Sequence, residues 1–314
     1  MKIFKFIEKC EYKDLIFDVE LEYYYDDIIN EYYVDVSLGN ENLKRIRNEY
    51  RRLKKLLTDN EIKEIREQYN LSQRDFSIIL GFGEVTITRY ESKTVQEKSH
   101  DEIIRQSRNP KVFLEYLRNN KDKYIELNGI NKYNDLCNFV IELSKDINVL
   151  INLYSDIDRG NSRFVVSKFK TIISKIKDKR NSLTKTTLAK LLWYIDCLSY
   201  KIYNKSLTGL VYKSMPYGAY PEMYDQILND KDIVIKVLWI NDYECYLIDD
   251  VIAIDDLTED EEKIIEFVVE KFKNFNTKQL VEYMHQEKAY VETELFSIIS
   301  YNYSLDIKLF EDYK

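Results

Sequence analysis

The stretch Leu71 to Lys93, LSQRDFSIILGFGEVTITRYESK, constrains the chain most. Ser72 stands where a helix N-cap belongs, and Phe76, Ile79 and Leu80 recur behind it at helical spacing. Gly81-Phe82-Gly83 then calls for a tight turn, which glycine makes cheaply. A second short helix, Glu84 to Glu91, is expected next, with Val85, Ile87 and Tyr90 turned inward. Two short helices across a glycine turn have the form of a helix-turn-helix. In that arrangement the second helix enters a DNA major groove by its N-terminal end, which leaves Thr86, Thr88 and Arg89 to reach base edges or phosphates.

The residues Leu71-Ser72-Gln73, Leu80-Gly81 and Thr86-Ile87-Thr88-Arg89-Tyr90-Glu91 resemble the Cro/Xre-type helix-turn-helix, and more narrowly the version in MqsA-like antitoxins. The resemblance implies a DNA-binding surface comprising Ser72, Gln73, Glu84, Thr86, Thr88 and Arg89. Two positions depart from the family: Val85 where relatives often carry a polar or basic residue, and Lys93 where a glycine commonly follows. From Thr58 to Arg108 there are eight Lys/Arg against ten Asp/Glu. This slightly acidic balance argues against strong DNA binding, which a homodimer presenting two recognition helices to a palindromic operator would compensate.

The bulk properties limit the alternatives. The 314 residues carry a formal net charge of −8, so the chain is no general polyanion binder and DNA binding must come from a local patch. Only 7 glycines and 3 prolines point to helices with few tight loops. The 27 tyrosines suit half-buried positions and interfaces, although AT-rich coding alone also enriches Tyr, Lys, Asn and Ile. Cys10, Cys137, Cys197 and Cys245 are far apart and form no C-x-x-C pair, which argues against a zinc knuckle or a disulfide framework. No signal-peptide pattern and no apolar run near ~18 residues occurs, so a soluble, cytoplasmic protein without membrane contact is expected.

Four segments are expected. Residues 1–57 hold a small antiparallel β-unit, from the period-two runs Leu15–Glu22 and Tyr32–Ser37, followed by a basic helix over 41–57. That helix places Leu43, Ile46, Tyr50, Leu53, Leu56 and Leu57 on one side. Its seven cations, Lys44, Arg45, Arg47, Arg51, Arg52, Lys54 and Lys55, either track phosphates or form an ordinary solvated face. The MqsA-like N-terminal region often carries zinc-binding C-x-x-C pairs; only Cys10 stands here, so no metal site carries over. Residues 58–108 form the helix-turn-helix module, opened by a capping box of Thr58 and Glu61. Residues 109–162 read as a helical connector. Residues 163–314 form the last domain, with helices near Val166–Lys177 and Leu188–Leu198, a strand and loop over Gly209–Tyr220, and a strand pair within Tyr243–Ile254. Thr258, with Glu261 behind it, caps a further helix, and another spans Thr277–Ala289.

Within this last domain Lys190-Leu191-Leu192-Trp193-Tyr194-Ile195-Asp196, Ser206-Leu207-Thr208-Gly209, Met215-Pro216-Tyr217-Gly218, Pro221 and Tyr283-Met284-His285-Gln286-Glu287-Lys288-Ala289-Tyr290 resemble the Panacea, or SocA-like, domain. Ala219 replaces a proline common in that family. The resemblance implies an antitoxin that neutralises a co-encoded toxin by direct binding through this domain and represses its own operon through the helix-turn-helix. Tyr212, Tyr217, Tyr220 and His285 are placed on the expected toxin-binding face by their motif positions. No H-E-x-x-H, P-loop, G-x-S-x-G or G-x-G-x-x-G motif occurs, and no enzyme activity, catalytic residue, metal or cofactor is expected. The fold class expected is α+β, mainly α. Three rival readings stay open: a transcriptional regulator without a toxin, a proteolytic adaptor, and a mobile-element defence component.

Overall fold

The computed structural model of the chain describes residues 2–180, 182–240 and 243–313. These form two compact units, Met1–Ser144 and Lys145–Lys314. The fold is mainly helical with three small antiparallel sheets among the described residues, as the α+β expectation required. The boundary falls inside the stretch 109–162 that reads as one connector.

The first unit opens with β1 (Ile3–Tyr12), β2 (Leu15–Asp26) and β3 (Glu31–Tyr33), ordered β1-β2-β3. Alternation along β2 buries Phe17, Val19 and Leu21 against Tyr50 of helix α1 (Val36–Leu53). The helix starts earlier than its apolar pattern indicates. Asp35 accepts a hydrogen bond from Leu38 N at 2.7 Å, so the run Tyr32–Ser37 yields only a three-residue strand before the cap. Leu43 and Leu53, expected inside, are half exposed, whereas Asn42 and Arg51 are buried. Asn42 explains itself: its amide bridges both backbone groups of Glu22, at 3.0 and 2.7 Å.

Seven helices follow: α2 (Asp59–Glu67), α3 (Gln73–Ile79), α4 (Thr86–Ser92), α5 (Lys98–Gln106), α6 (Pro110–Asn119), α7 (Lys121–Asn128) and α8 (Ile130–Leu143). The Thr58–Glu61 capping box and the Ser72 N-cap both form. The helices share one core in which Ile62, Phe76, Ile79, Ile87, Ile104, Phe113, Leu117 and Val140 are buried. Tyr69 stacks on Phe113 at 3.7 Å and donates its hydroxyl to Ser107 O at 2.6 Å.

The second unit contains α9 (Ile147–Ile151), α10 (Val166–Asp178), α11 (Lys185–Tyr203), the hairpin β4 (Tyr212–Met215) with β5 (Gly218–Pro221), α12 (Tyr224–Leu228), the hairpin β6 (Ile233–Ile240) with β7 (Tyr243–Val251), α13 (Glu259–Lys271), α14 (Thr277–Met284) and α15 (Lys288–Val291). Two 3-10 turns, Tyr301–Asp306 and Lys308–Asp312, end it. Every residue of α11 from Thr187 to Ser199 is buried. A helix that is apolar on nearly all sides belongs at the centre of a core, and α13, α14, both hairpins and the turn Tyr301–Asp306 pack on it. Two expectations are corrected. The strand in Tyr243–Ile254 pairs with Ile233–Ile240, not with itself. The helix over Thr277–Ala289 breaks at His285 into α14 and α15. The Thr258–Glu261 capping box forms as expected.

Candidate functional site

In the first unit the exposed side of α4 is the candidate surface. Gly81, with φ +77°, and Gly83 turn the chain from α3 into α4, and Val85 offers no side-chain cap. The cap comes from α3 instead, where Ser77 Oγ accepts from Ile87 N at 3.1 Å. Glu91 fixes the other end. Its carboxylate takes Arg66 Nε at 2.7 Å, Arg66 Nη2 at 3.0 Å and Gln73 Nε2 at 2.7 Å, with both ion-pair side chains 10% exposed or less. Such a bidentate pair holds orientation as well as charge.

The six residues expected on a DNA surface divide accordingly. Thr88 and Arg89 are exposed on α4, and Thr86 is half-buried at its start. Glu84 is exposed but pairs with Arg74 at 2.8 Å. Ser72 is spent on its cap, accepting from Asp75 N at 3.0 Å, and Gln73 is held by Glu91. Val85, expected inside, is 54% exposed because the Gly83–Thr86 turn points it outward.

The basic helix α1 is largely neutralised within the unit. Lys44 pairs with Asp59 at 3.0 Å, Arg45 with Glu22 at 2.8 Å, Arg52 with Glu49 at 3.3 Å and Lys54 with Asp14 at 2.5 Å. Arg51 is buried and donates to Gln96, Asn48 and the carbonyls of Tyr90 and Thr94. Arg47 donates to Ser92 O at 2.9 Å, tying α1 to the end of α4. His100 is a packing residue: it stacks on Phe82 at 4.1 Å and shares a 2.7 Å hydrogen bond with Tyr90.

In the second unit polar groups are buried along α11. Asp196 accepts from Leu207 N at 2.8 Å, Thr208 N at 2.7 Å, Tyr212 OH at 2.7 Å and Thr208 Oγ1. Burial pushes its carboxyl up to about 6, against the lowering pull of the Thr208 and Tyr212 bonds. Gly209 must follow, because its φ is +74° and a Cβ there would lie 2.5 Å from Phe164 N. Tyr212, expected on a partner-facing surface, is therefore corrected: it is completely buried as a donor to Asp196. Lys190, one helical turn and a half earlier, is 1% exposed and donates to Ala219 O at 2.9 Å. It has no ion pair among the described residues, and burial pushes its ammonium down to about 7.

The other three expected residues lie at or near the β4–β5 hairpin. Tyr217, at its tip, is 70% exposed. Tyr220 is half-buried against Tyr224, at 5.1 Å, with the Lys185 ammonium 5.9 Å from its ring. His285 caps α14 and stacks on Tyr290 at 4.3 Å. Burial and the nearby Lys190 lower its pKa, and its Nε2 is buried without a partner among the described residues. Gly218, with φ +93°, lets the hairpin close on α14 and α11; a Cβ would sit 2.7 Å from Met284 Sδ.

No sequence motif marks Phe296. Its backbone is left-handed, φ +69°, and its ring is 59% exposed. For a bulky residue that conformation costs about 1–3 kcal/mol. Two backbone hydrogen bonds to β4 hold it, Phe296 N to Ser214 O at 2.7 Å and Ser214 N to Ser297 O at 2.9 Å. No local propensity encodes such a residue, so only the fold reveals it.

The surface chemistry is apolar and aromatic rather than nucleophilic. Cys197 is buried in the core, and burial pushes its thiol well up, away from a reactive thiolate. No cluster of three or more His, Cys, Asp or Glu suited to a metal occurs among the described residues, and no helix there is long and apolar enough to cross a membrane. Residues 188–290 match the family model described as Antitoxin SocA-like, Panacea domain. The match runs from α11 to α15 and so includes Asp196, Tyr217 and His285. No curated protein and no solved structure gives a match.

Proposed function

We propose that the chain is an antitoxin whose second unit binds and neutralises a co-encoded toxin. The match of residues 188–290 to the SocA-like antitoxin domain carries the reading. The exposed, structurally pinned hairpin tip inside that match supports a protein partner. The first unit serves as a helix-turn-helix of Cro/Xre type that represses the operon, with Thr86, Thr88 and Arg89 toward the DNA. A homodimer in the cytoplasm would present two such helices to a palindromic operator.

Growth of cells expressing the adjacent open reading frame, with and without this chain, is the test. Arrest by the neighbour alone and recovery with the chain is the expected outcome. A harmless neighbour, or one that stays toxic, removes the antitoxin role. The exposure of Thr88 and Arg89 on a clamped helix favours a second reading, a regulator without a toxin, in that event. Disappearance of the partner rather than its persistence in a complex would instead mark a proteolytic adaptor.

A further inference from the structure

We infer that Tyr217 and the segment 291–296 form the docking face for the toxin, and that the toxin meets it with an apolar segment flanked by basic side chains. This rests on the antitoxin reading above. An antiparallel bridge sets Lys213 opposite Ile298, and Phe296 N and Ser297 O both bond to Ser214, so Phe296 lies beside Ser214 of β4. Ser214 in turn pairs with Ala219 across the hairpin. The segment ending at Phe296 is therefore tied to the same hairpin whose tip carries Tyr217. Val291 is 69% exposed, Leu295 49%, Phe296 59% and Tyr217 70%. Exposed apolar side chains on a hairpin tip and on the segment bonded to that hairpin are of the kind that marks an interaction site.

Both halves of the patch are rigid. Backbone bonds to Ser214 pin Phe296 in a conformation its own side chain disfavours, while its ring points to solvent. Gly218, packed too closely on Met284 to admit a Cβ, and the β4–β5 pairing fix the tip that carries Tyr217. Aromatic anchors held in place before association lose little freedom on binding.

Charge selects the partner. Glu292 and Glu294 are exposed and have no ion pair among the described residues. The adjacent cations are neutralised, Lys213 by Glu222 at 2.6 Å and Lys288 by Asp306 at 3.1 Å. The rim is thus net negative, which attracts a basic partner and repels an anionic membrane surface.

The test uses the full chain and the protein encoded by the adjacent open reading frame, titrated against each other at two salt concentrations alongside the growth assay. Phe296→Gly is the most telling variant, because glycine adopts φ +69° without strain. It should keep or raise the melting temperature yet weaken binding about tenfold or more, as should Tyr217→Ala. Replacing Glu292 and Glu294 by Lys should weaken binding and flatten its salt dependence. Trp239→Ala, on the exposed side of the β6–β7 hairpin, should bind as the native chain does. Native affinity for the Phe296, Tyr217 and charge-reversed variants would overturn the inference and leave the antitoxin reading standing. Loss with Trp239→Ala in their place would move the interface to the other hairpin. Failure of the native chain to bind or protect would remove both.

Discussion

Lys190 holds a buried ammonium that donates to the carbonyl of Ala219. Its folded pKa near 7 lies below the unfolded value of about 10.4, so the folded state favours the neutral amine. Its contribution to stability is therefore complete above pH ~10.4 and is lost as pH falls toward 7. At pH 7 the deficit is of order 3–5 kcal/mol. Lys190→Met keeps the stem and removes the charge. It should stabilise the chain at pH 7 by about 1–4 kcal/mol, and the native chain should close the gap as pH rises to 10. Denaturant unfolding across that range measures this, and a pH-independent difference would count against it. Asp196 is the opposite case, a buried acid whose acceptor capacity is filled. Asp196→Ala leaves two peptide N–H groups and two hydroxyls unpartnered and should cost about 3–5 kcal/mol in the same assay. Tyr212→Phe removes only one donor to this carboxylate and should cost about 1 kcal/mol.

At the scale of elements, α4 is exposed on one side because Glu91 and Ser77 hold it from the other. Function and stability should thus separate along this helix. Arg89→Ala should weaken binding to the chain's own promoter DNA by ~1–3 kcal/mol with no change in melting temperature. Glu91→Ala should remove the main partner of the Arg66 guanidinium, leaving it Leu71 O and the more distant Glu67, and cost about 2–3 kcal/mol of stability. DNA titrations over a salt series, paired with thermal melts, distinguish the two. An Arg89→Ala chain with unchanged affinity and salt slope would leave α4 without a DNA role. What was legible in the sequence follows the same division. Caps at Thr58, Ser72 and Thr258 and the turn at Gly81 are local chemistry, written within four residues, and the structure repeats them. The burial of Arg51 was not legible, because most of its acceptors lie 39 to 45 residues away. The same holds for Tyr212, whose environment is set by a helix 16 residues upstream. Strand β6 was missed because its short apolar run carries no alternation to separate strand from helix.

At the scale of the whole molecule, each unit has a core of its own: β2 with α1 and the α2–α8 cluster in the first, the shell around α11 in the second. A unit with its own core can fold alone. Cutting between Ser144 and Lys145 should therefore give two soluble, cooperatively melting fragments. The SocA-like match and the Tyr217–Phe296 face both lie beyond the cut. On the proposed antitoxin reading, residues 145–314 should rescue growth from the product of the adjacent open reading frame by themselves, while residues 1–144 should bind the promoter and give no protection. Rescue by the full chain alone, with the 145–314 fragment folded by circular dichroism and its melt cooperative, would mean that the first unit contributes to neutralisation. Protection would then depend on the two units being joined, and the division of labour between DNA and toxin would have to be abandoned.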